Sequence, residues 1–292
     1  MGFARAQPIL RAGVDREMTL NTSEDIFAAN RASGRIALEV KAAPGATRRA
    51  RVYEQGALRV RCPRPLAAEL EAIVVNTAGG MAGGDRFELE VAVGPGARLV
   101  LTSAAAEKVY RTLGPATTVA AKLSVAAGGE LAWLPQETIL FDRARLTRTI
   151  DVELAADARL VLAEGIVFGR AGMGEAVEDG LLLDRWRVRR GGRLIHAESL
   201  RLDGAVAKKL AARAVANGGV AAATVLLVPA DAAVIGAVRA LSDQFRGEVG
   251  ISGWNGLAVL RLVAAEGAAL RHDLVAVLTA IRGAPLPRLW LN

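Results

Sequence analysis

A short pattern recurs four times along this chain and restricts its possible folds. Each copy begins with an aliphatic residue, continues through a small or glycine-rich turn, and ends with a leucine six positions later. The copies are VGPGARL (93–99), VAAGGEL (125–131), LAADARL (154–160) and VRRGGRL (188–194), and their leucines recur after 32, 29 and 34 residues. A period near 30 with a strand on each side of the turn favours stacked β-layers, in which each unit covers its neighbour. Four ordinary β-hairpins with similar turns explain the pattern equally well.

The sequence around these repeats predicts more β-structure and a change of class near the C-terminus. RIALEV (35–40) and ARVYEQGALRVRC (50–62) alternate apolar and polar residues as half-buried strands do, with Gly56 at a hairpin position. Later, AAATVLLV (221–228) predicts a buried strand, Asp231 predicts the start of a helix, and Asn255-Gly256 predicts a hairpin. Two apolar stripes at helical spacing predict two helices: Val234, Val238, Leu241 and Phe245, ended by Gly247, and Leu270, Leu274, Val277, Leu278 and Ile281.

We therefore predict a mainly β protein with stacked antiparallel β-sheets in a solenoid-like arrangement and a small C-terminal α+β portion containing two helices. The predicted boundaries are a loose N-terminal extension over residues 1–32, a layered β domain over 33–204, and the α+β portion over 205–292, packed on that domain.

The charge and the metal-binding residue types limit the classes of function. The net charge is +7 with 32 Arg against 5 Lys, and RWRVRRGGR (185–193) predicts a strand face of arginines, either solvated or a docking surface. Aromatic residues make up only 4%, so an acidic protein partner ranks above nucleic acid, which stays as the alternative. Cys62, His196 and His272 are the only soft or imidazole ligands, too few for a closed zinc site, and the lone cysteine favours a reducing compartment. No stretch of the sequence predicts a membrane span or a signal peptide, so we expect a cytoplasmic protein.

The stretch NTAGGMAGGDR (76–86) resembles the start of a phosphate-binding loop but lacks its chemistry. A P-loop needs Lys and then Ser or Thr after its last glycine, whereas Asp85 and Arg86 stand here. A dinucleotide fingerprint opens a helix, whereas FELEVAV (87–93) alternates like a strand. The four glycines therefore predict positive φ angles and close chain approach in a tight double bend that presents Asp85.

Three blocks of this sequence closely resemble the urease accessory protein UreD (UreH) family. They are NTAGGMAGGDRFELEVAVGPGARLVLTSAAAEKVYRT (76–112), LAWLPQETILFDRARLTRTIDVEL (131–154) and LPRLW (286–290). The resemblance implies a mostly β protein without enzymatic activity of its own. It implies that the chain binds urease apoprotein and UreF, that UreF recruits the GTPase UreG, and that the complex acts as a GTP-dependent chaperone for nickel insertion, with UreE supplying the metal. GTP would then belong to a partner, and nickel would be in transit with no tightly bound cofactor.

Two sets of residues are candidates for these roles. Asp85, Glu137, Asp142 and Glu164 lie in or beside apolar β-stretches, where a carboxylate must be paired, exposed or set in a polar channel. We expect them to line or flank a transient nickel route, because oxygen ligands hold nickel less tightly than imidazole or thiolate; structural ion pairing is the other interpretation. Glu107, Lys108, Tyr110 and Arg111 beside small residues form a candidate partner-binding set, the alternative being ordinary surface charges at a strand end. A carboxylate pair for hydrolysis, Glu137 with Asp142, is a weaker reading because few aromatic residues accompany it.

Overall fold

Two large β-sheets make up most of this protein, of which a computed structural model describes residues 31–64 and 68–291. The predicted N-terminal extension therefore falls almost wholly outside the described residues. In chain order the strands are β1 Ser33–Ala43, β2 Ala46–Gly56, β3 Leu58–Arg61, β4 Leu70–Asn76, β5 Arg86–Val93, β6 Arg98–Ser103, β7 Glu107–Val109, β8 Thr117–Val125, β9 Glu130–Trp133, β10 Thr138–Leu140, β11 Arg145–Leu154, β12 Arg159–Phe168, β13 Asp179–Arg190, β14 Arg193–Ala205, β15 Ala221–Val228, β16 Glu248–Trp254 and β17 Leu257–Ala264.

Successive strands of the central region alternate between the two sheets. Sheet A has the spatial order β14-β13-β11-β8-β5-β1-β2, and sheet B has the order β16-β17-β15-β12-β9-β6-β4-β3, with β10 beside β12 and β7 beside β10. Each repeat therefore adds one strand to each sheet, and the predicted mainly β, stacked, solenoid-like architecture is confirmed.

The first three copies of the repeated pattern are the corners at which the chain crosses from sheet A to sheet B. Their first residues pair in register in sheet A, Val93 with Val125 and Val125 with Leu154. Their leucines pair in register in sheet B, Leu99 with Leu131 and Leu131 with Leu160. All six side chains are buried, which explains why the pattern repeats an aliphatic residue at these two positions.

The fourth copy differs, because residues 188–194 form an antiparallel hairpin between β13 and β14 within sheet A. Its leucine, Leu194, is exposed, since no further layer follows to cover it. The stacked-layer interpretation therefore holds for three copies and the hairpin interpretation for the last.

Strand direction corrects the prediction of antiparallel sheets. From β1 through β5, β8 and β11 to β13, every neighbouring pair in sheet A is parallel, as are β4, β6, β9 and β12 in sheet B. Antiparallel pairs occur towards the sheet margins, as in β1–β2, β13–β14 and β15–β17. The reason is that a crossing to the other sheet and back returns the chain to its first sheet in the same direction. Gly56, predicted in a hairpin, instead lies where the chain leaves β2 in sheet A for β3 in sheet B.

The C-terminal segment contributes strands to sheet B, a short helix that contacts β13 and β14 of sheet A, and two further helices on the side of sheet B. The helices are α1 Val206–Ala211, α2 Ala232–Arg239 and α3 Gly267–Ile281. The two predicted helices are α2 and α3, and Asp231 caps α2 by accepting a hydrogen bond from the Val234 amide at 2.9 Å. However, α2 ends at Arg239, short of the predicted Gly247, and the sequence patterns did not predict α1. None of the helices in the described part of the chain is long and apolar enough to span a membrane.

Apolar side chains are buried in two layers. The larger cluster lies between the sheets and contains the repeat leucines, while the smaller one lies between sheet B and α3. Strand alternation produces this division, because odd and even positions of one strand face opposite sides of the sheet. On β13, Trp186 and Val188 are buried whereas Arg185 and Arg187 are exposed, as the alternation predicted. The interior between the sheets is where charged side chains are unexpected, yet an arginine and two carboxylates from three different strands contact one another there.

Candidate functional site

A buried arginine joins two carboxylates between the sheets. Arg148 on β11, Asp184 on β13 and Glu164 on β12 are each about 5% exposed and occupy core-facing positions of their strands. Arg148 and Asp184 pair directly across sheet A, and Arg148 donates to Asp184 from Nε at 3.1 Å and also from Nη2. Its Nη1 donates to Glu164 in sheet B. We refer to Arg148, Glu164 and Asp184 as the buried charge cluster.

Two tryptophans complete the hydrogen bonding of the cluster. The indole of Trp133 donates to Glu164 Oε1 at 2.8 Å, and the indole of Trp186 donates to Asp184 Oδ1 at 3.0 Å. Each carboxylate therefore has one guanidinium and one indole donor, the satisfaction that buried charges require. One positive charge faces two carboxylates, so the cluster carries a net negative charge when both carboxylates are ionised.

The surroundings shift the pKa values of two members of the cluster. Burial raises the pKa of Glu164, and the neighbouring Asp184 adds to this, while Arg148 and the Trp133 indole oppose it. Burial alone would lower the pKa of Arg148, but Asp184 and Glu164 outweigh burial and raise it. Arg148 therefore stays charged, and the raised pKa of Glu164 makes its protonation easier than that of a glutamate in water.

Two cavities meet at this cluster. An interior cavity of about 80 Å³ lies between the sheets, and its polar lining residues include Ser103, Glu107 and Gln136. A cleft of about 410 Å³ lies at the edge where β14 approaches β15 and β17, and Asp184, Glu198 and Arg261 belong to its lining. The linings of these two cavities share only Arg148 and Glu164.

A second charged group lies in the lining of the edge cleft. Glu198 on β14 contacts Arg261 on β17 and lies 3.4 Å from His196 Nε2. Burial would raise the pKa of Glu198, but the hydrogen bonds from His196 and Arg261 outweigh burial and lower it. The cleft therefore contains an ionised carboxylate. The arginine that contacts it lies 63 residues away in the sequence.

Of the four predicted nickel-route carboxylates, only Glu164 lines these cavities. Asp85 is 4% exposed, and its two oxygens accept hydrogen bonds from the backbone amides of Ala32 at 2.8 Å and Ala82 at 2.7 Å. The carboxylate thereby fixes the glycine-rich bend. In that bend Gly79 and Gly84 have φ angles of 75° and 89°, which confirms the predicted positive φ.

Glu137 and Asp142 have separate partners on other parts of the surface. Glu137 forms an ion pair with Arg271 of α3 at 3.0 Å. Asp142 accepts hydrogen bonds from the amides of Glu178 at 2.9 Å and Asp179 at 3.2 Å. Among residues 31–64 and 68–291, no three His, Cys, Asp or Glu side chains come together in a group that could hold a metal ion.

The predicted partner-binding residues divide between interior and surface. Glu107 lines the interior cavity and accepts a hydrogen bond from the Asn76 amide group at 3.0 Å. Tyr110 packs edge-on against Phe141 with ring centroids 5.1 Å apart, and its hydroxyl donates to the Gly79 carbonyl at 2.8 Å. Lys108 and Arg111 are exposed. Only these last two present their charges freely to solvent.

The sequence patterns did not single out Arg148 or Asp184. A signal was available, because both stand at apolar positions of an alternating strand: Arg148 between Leu146 and Ile150, and Asp184 between Leu182 and Trp186. A charged residue on the buried side of a strand predicts a buried partner. What the alternation does not indicate is which strand of the opposite sheet supplies that partner.

Comparison with known proteins agrees with the resemblance seen in the sequence blocks. The family model described as UreD urease accessory protein matches residues 32–291. A urease accessory protein UreD of Rhodopseudomonas palustris is 56% identical over 271 residues, covering 93% of this chain and 97% of that protein. A urease accessory protein UreD of Bradyrhizobium diazoefficiens is 54% identical over 273 residues, covering 94% of this chain and 99% of that protein. Because the match extends through nearly all of the described residues, this chain belongs to the UreD urease accessory protein family.

Proposed function

We propose that this protein is a urease maturation factor with no catalytic activity of its own. The observation that carries the proposal is the agreement with a UreD protein over 97% of that relative's length. In this proposal the chain is the scaffold of a GTP-dependent chaperone complex, bound to urease apoprotein and to UreF, with UreG joining through UreF and supplying the GTPase.

We further propose that the edge cleft, the buried charge cluster and the interior cavity form the route of nickel through this protein. Each part of it includes a carboxylate: Glu198 and Asp184 line the cleft, Glu164 lines both cavities, and Glu107 lines the interior cavity. Oxygen donors suit a metal that must be released again, since they bind nickel more weakly than imidazole or thiolate. Asp85, Glu137 and Asp142 flank this route and hold the loops and α3 around it.

Lys108, Tyr110 and Arg111 are the proposed partner contacts. Lys108 and Arg111 are exposed, and Tyr110 is held in place by Gly79 and Phe141, so little side-chain freedom is lost when a partner packs on it. We expect Arg111→Glu to weaken co-purification of either urease or UreF while leaving expression of the protein unchanged.

Co-expression with urease tests the proposed function. Urease subunits should co-purify with this protein, and the nickel content of the urease should fall when the gene for this protein is omitted. Glu164→Gln should lower the nickel content of urease several-fold without loss of the complex, because it replaces a negatively charged carboxylate on the route with a neutral amide. Glu153→Gln is the matched control, since the Glu153 side chain is exposed on β11 and lies outside both cavities. Equal nickel content in urease made with and without this protein would contradict the proposal.

A further inference from the structure

The buried charge cluster is arranged asymmetrically between the two sheets. Arg148 donates twice to Asp184, its direct neighbour in sheet A, but only once to Glu164 across the interior in sheet B. Asp184 therefore anchors the guanidinium, and Glu164 is the contact that can be broken while Arg148 stays paired. Glu164 would keep its hydrogen bond from Trp133 in that state.

Arg148 lies at the junction between the two cavities, so its contacts affect whether a cation can move from one cavity to the other. Arg148 and Glu164 are the residues that line both the edge cleft and the interior cavity. A cation moving from one cavity to the other has to pass a fixed positive charge in a poorly screened interior, where repulsion between like charges is strong. It also has to compete with the guanidinium for the same carboxylate oxygens.

We propose that Arg148 is the residue that closes the junction between the two cavities against cations. A divalent cation passes when the guanidinium releases Glu164 and remains on Asp184, which leaves the guanidinium charge balanced by Asp184 and exposes a Glu164 oxygen to the cation. This inference rests on the proposed nickel route and adds its barrier. Arg148 would then have two roles: it positions Glu164, and it excludes cations from the junction until Glu164 is released. A purely structural ion pair would have neither role.

Arg148→Lys tests the proposal, because it keeps the charge but lacks the fork that bridges two carboxylates. Arg282→Lys is the matched control: Arg282 is also buried and binds Glu69 through two contacts of 3.0 and 2.8 Å, yet it is outside the lining of both cavities. The first measurement uses the full chain co-purified with its partners and NiCl2 alone as the probe. The rate at which Ni²⁺ quenches Trp133 fluorescence, taken as the difference from the same protein carrying Trp133→Phe, should rise at least threefold in Arg148→Lys and stay unchanged in Arg282→Lys.

The second measurement is nickel incorporation into co-expressed urease, and it separates the two proposals. Arg148→Lys should speed incorporation, while Glu164→Gln should slow it. If Arg148→Lys, Glu164→Gln and removal of the protein all leave nickel incorporation unchanged, the proposed nickel route is wrong. The quenching rates still test separately whether Arg148 is a barrier to cations. If Arg148→Lys quenches no faster than the unmodified protein, the barrier is wrong even when Glu164→Gln slows incorporation.

A second variant keeps the proposal testable if Arg148→Lys fails to fold. The double substitution Arg148→Gln with Glu164→Gln removes one positive and one negative charge together, so the net charge of the cluster is kept. It should give the same threefold or greater rise in quenching rate. Failure of both Arg148 variants to assemble, while Arg282→Lys assembles, would overturn the proposal, because the cluster would then serve the fold alone.

Discussion

The Asp85 side chain has a structural role, because its carboxylate accepts hydrogen bonds from the backbone amides of two separate chain segments. The amides belong to Ala32, ahead of β1, and Ala82, inside the glycine-rich bend. In Asp85→Ala both buried amides lose their acceptor, so we expect a loss of about 3 kcal/mol in the free energy of unfolding. Urea unfolding of the full chain measures it. Asp85→Asn, which keeps one acceptor oxygen, should lose clearly less; equal losses would show that charge, and not the hydrogen bonds, stabilises the bend.

The buried carboxyl of Glu107 should make the stability of the protein depend on pH in a defined direction. Burial raises the pKa of Glu107 above that of an ordinary glutamate, and the hydrogen bond from Asn76 only partly offsets this. A carboxyl whose pKa is raised in the folded state favours folding below its unfolded pKa, and this contribution is lost as pH rises through the folded pKa. Glu107→Gln should therefore gain stability relative to the unmodified protein as pH rises from 4.5 towards 8. Unfolding midpoints in urea across that range provide the measurement, and a constant difference between the two proteins would contradict the raised pKa.

At the scale of the structural element, the glycine-rich bend contains glycines required for two different reasons. Gly79 has a φ of 75° with open space around its missing side chain. At Gly83 a Cβ would lie 2.1 Å from Thr112 Oγ1 and 2.7 Å from the Pro115 carbonyl oxygen. Gly83→Ala should cost about 3 kcal/mol of unfolding free energy because backbone must shift, whereas Gly79→Ala should cost about 1 kcal/mol for its left-handed conformation. Thermal or urea unfolding of both variants tests the order, and a larger loss at Gly79 would reverse it.

The repeated turns show how far element-scale reasoning from the sequence extends. The spacing of Leu99, Leu131 and Leu160 is compatible with stacked units and equally with separate hairpins, and the structure has these leucines in register in sheet B. The spacing did not show that each turn crosses between sheets, because a short glycine-rich turn can join strands in one sheet or two. The direction of the strands, parallel in the centre, follows from that crossing and so could not be read from the repeat.

For the whole molecule, the C-terminal LPRLW block joins distant parts of the chain. Trp290 is 3% exposed, its indole donates to the Leu134 carbonyl at 3.0 Å, and the Arg271 guanidinium lies 5.2 Å from its ring centroid. We expect Trp290→Ala to lower the free energy of unfolding by about 4 kcal/mol, since a large ring leaves a cavity. Trp290→Phe keeps most of the packing and loses the indole donor, so about 1 kcal/mol is expected. Urea unfolding distinguishes them, and a small effect of Trp290→Ala would mean that this block is held by other contacts.

The class of this protein, its repeat, its two main helices and its family can all be read from the order of its amino acids. These follow from local periodicity, from capping and turn residues, and from blocks such as 76–112 that resemble UreD proteins. Which of the candidate residues share a site depends on the packing of the folded chain. Asp85, Glu137 and Asp142 looked equivalent to Glu164 along the chain, yet Glu164 alone is opposite Arg148 and Asp184. The reason is physical: alternation tells which side of a strand a residue faces, whereas the pairing of charges across two sheets depends on how the sheets are packed.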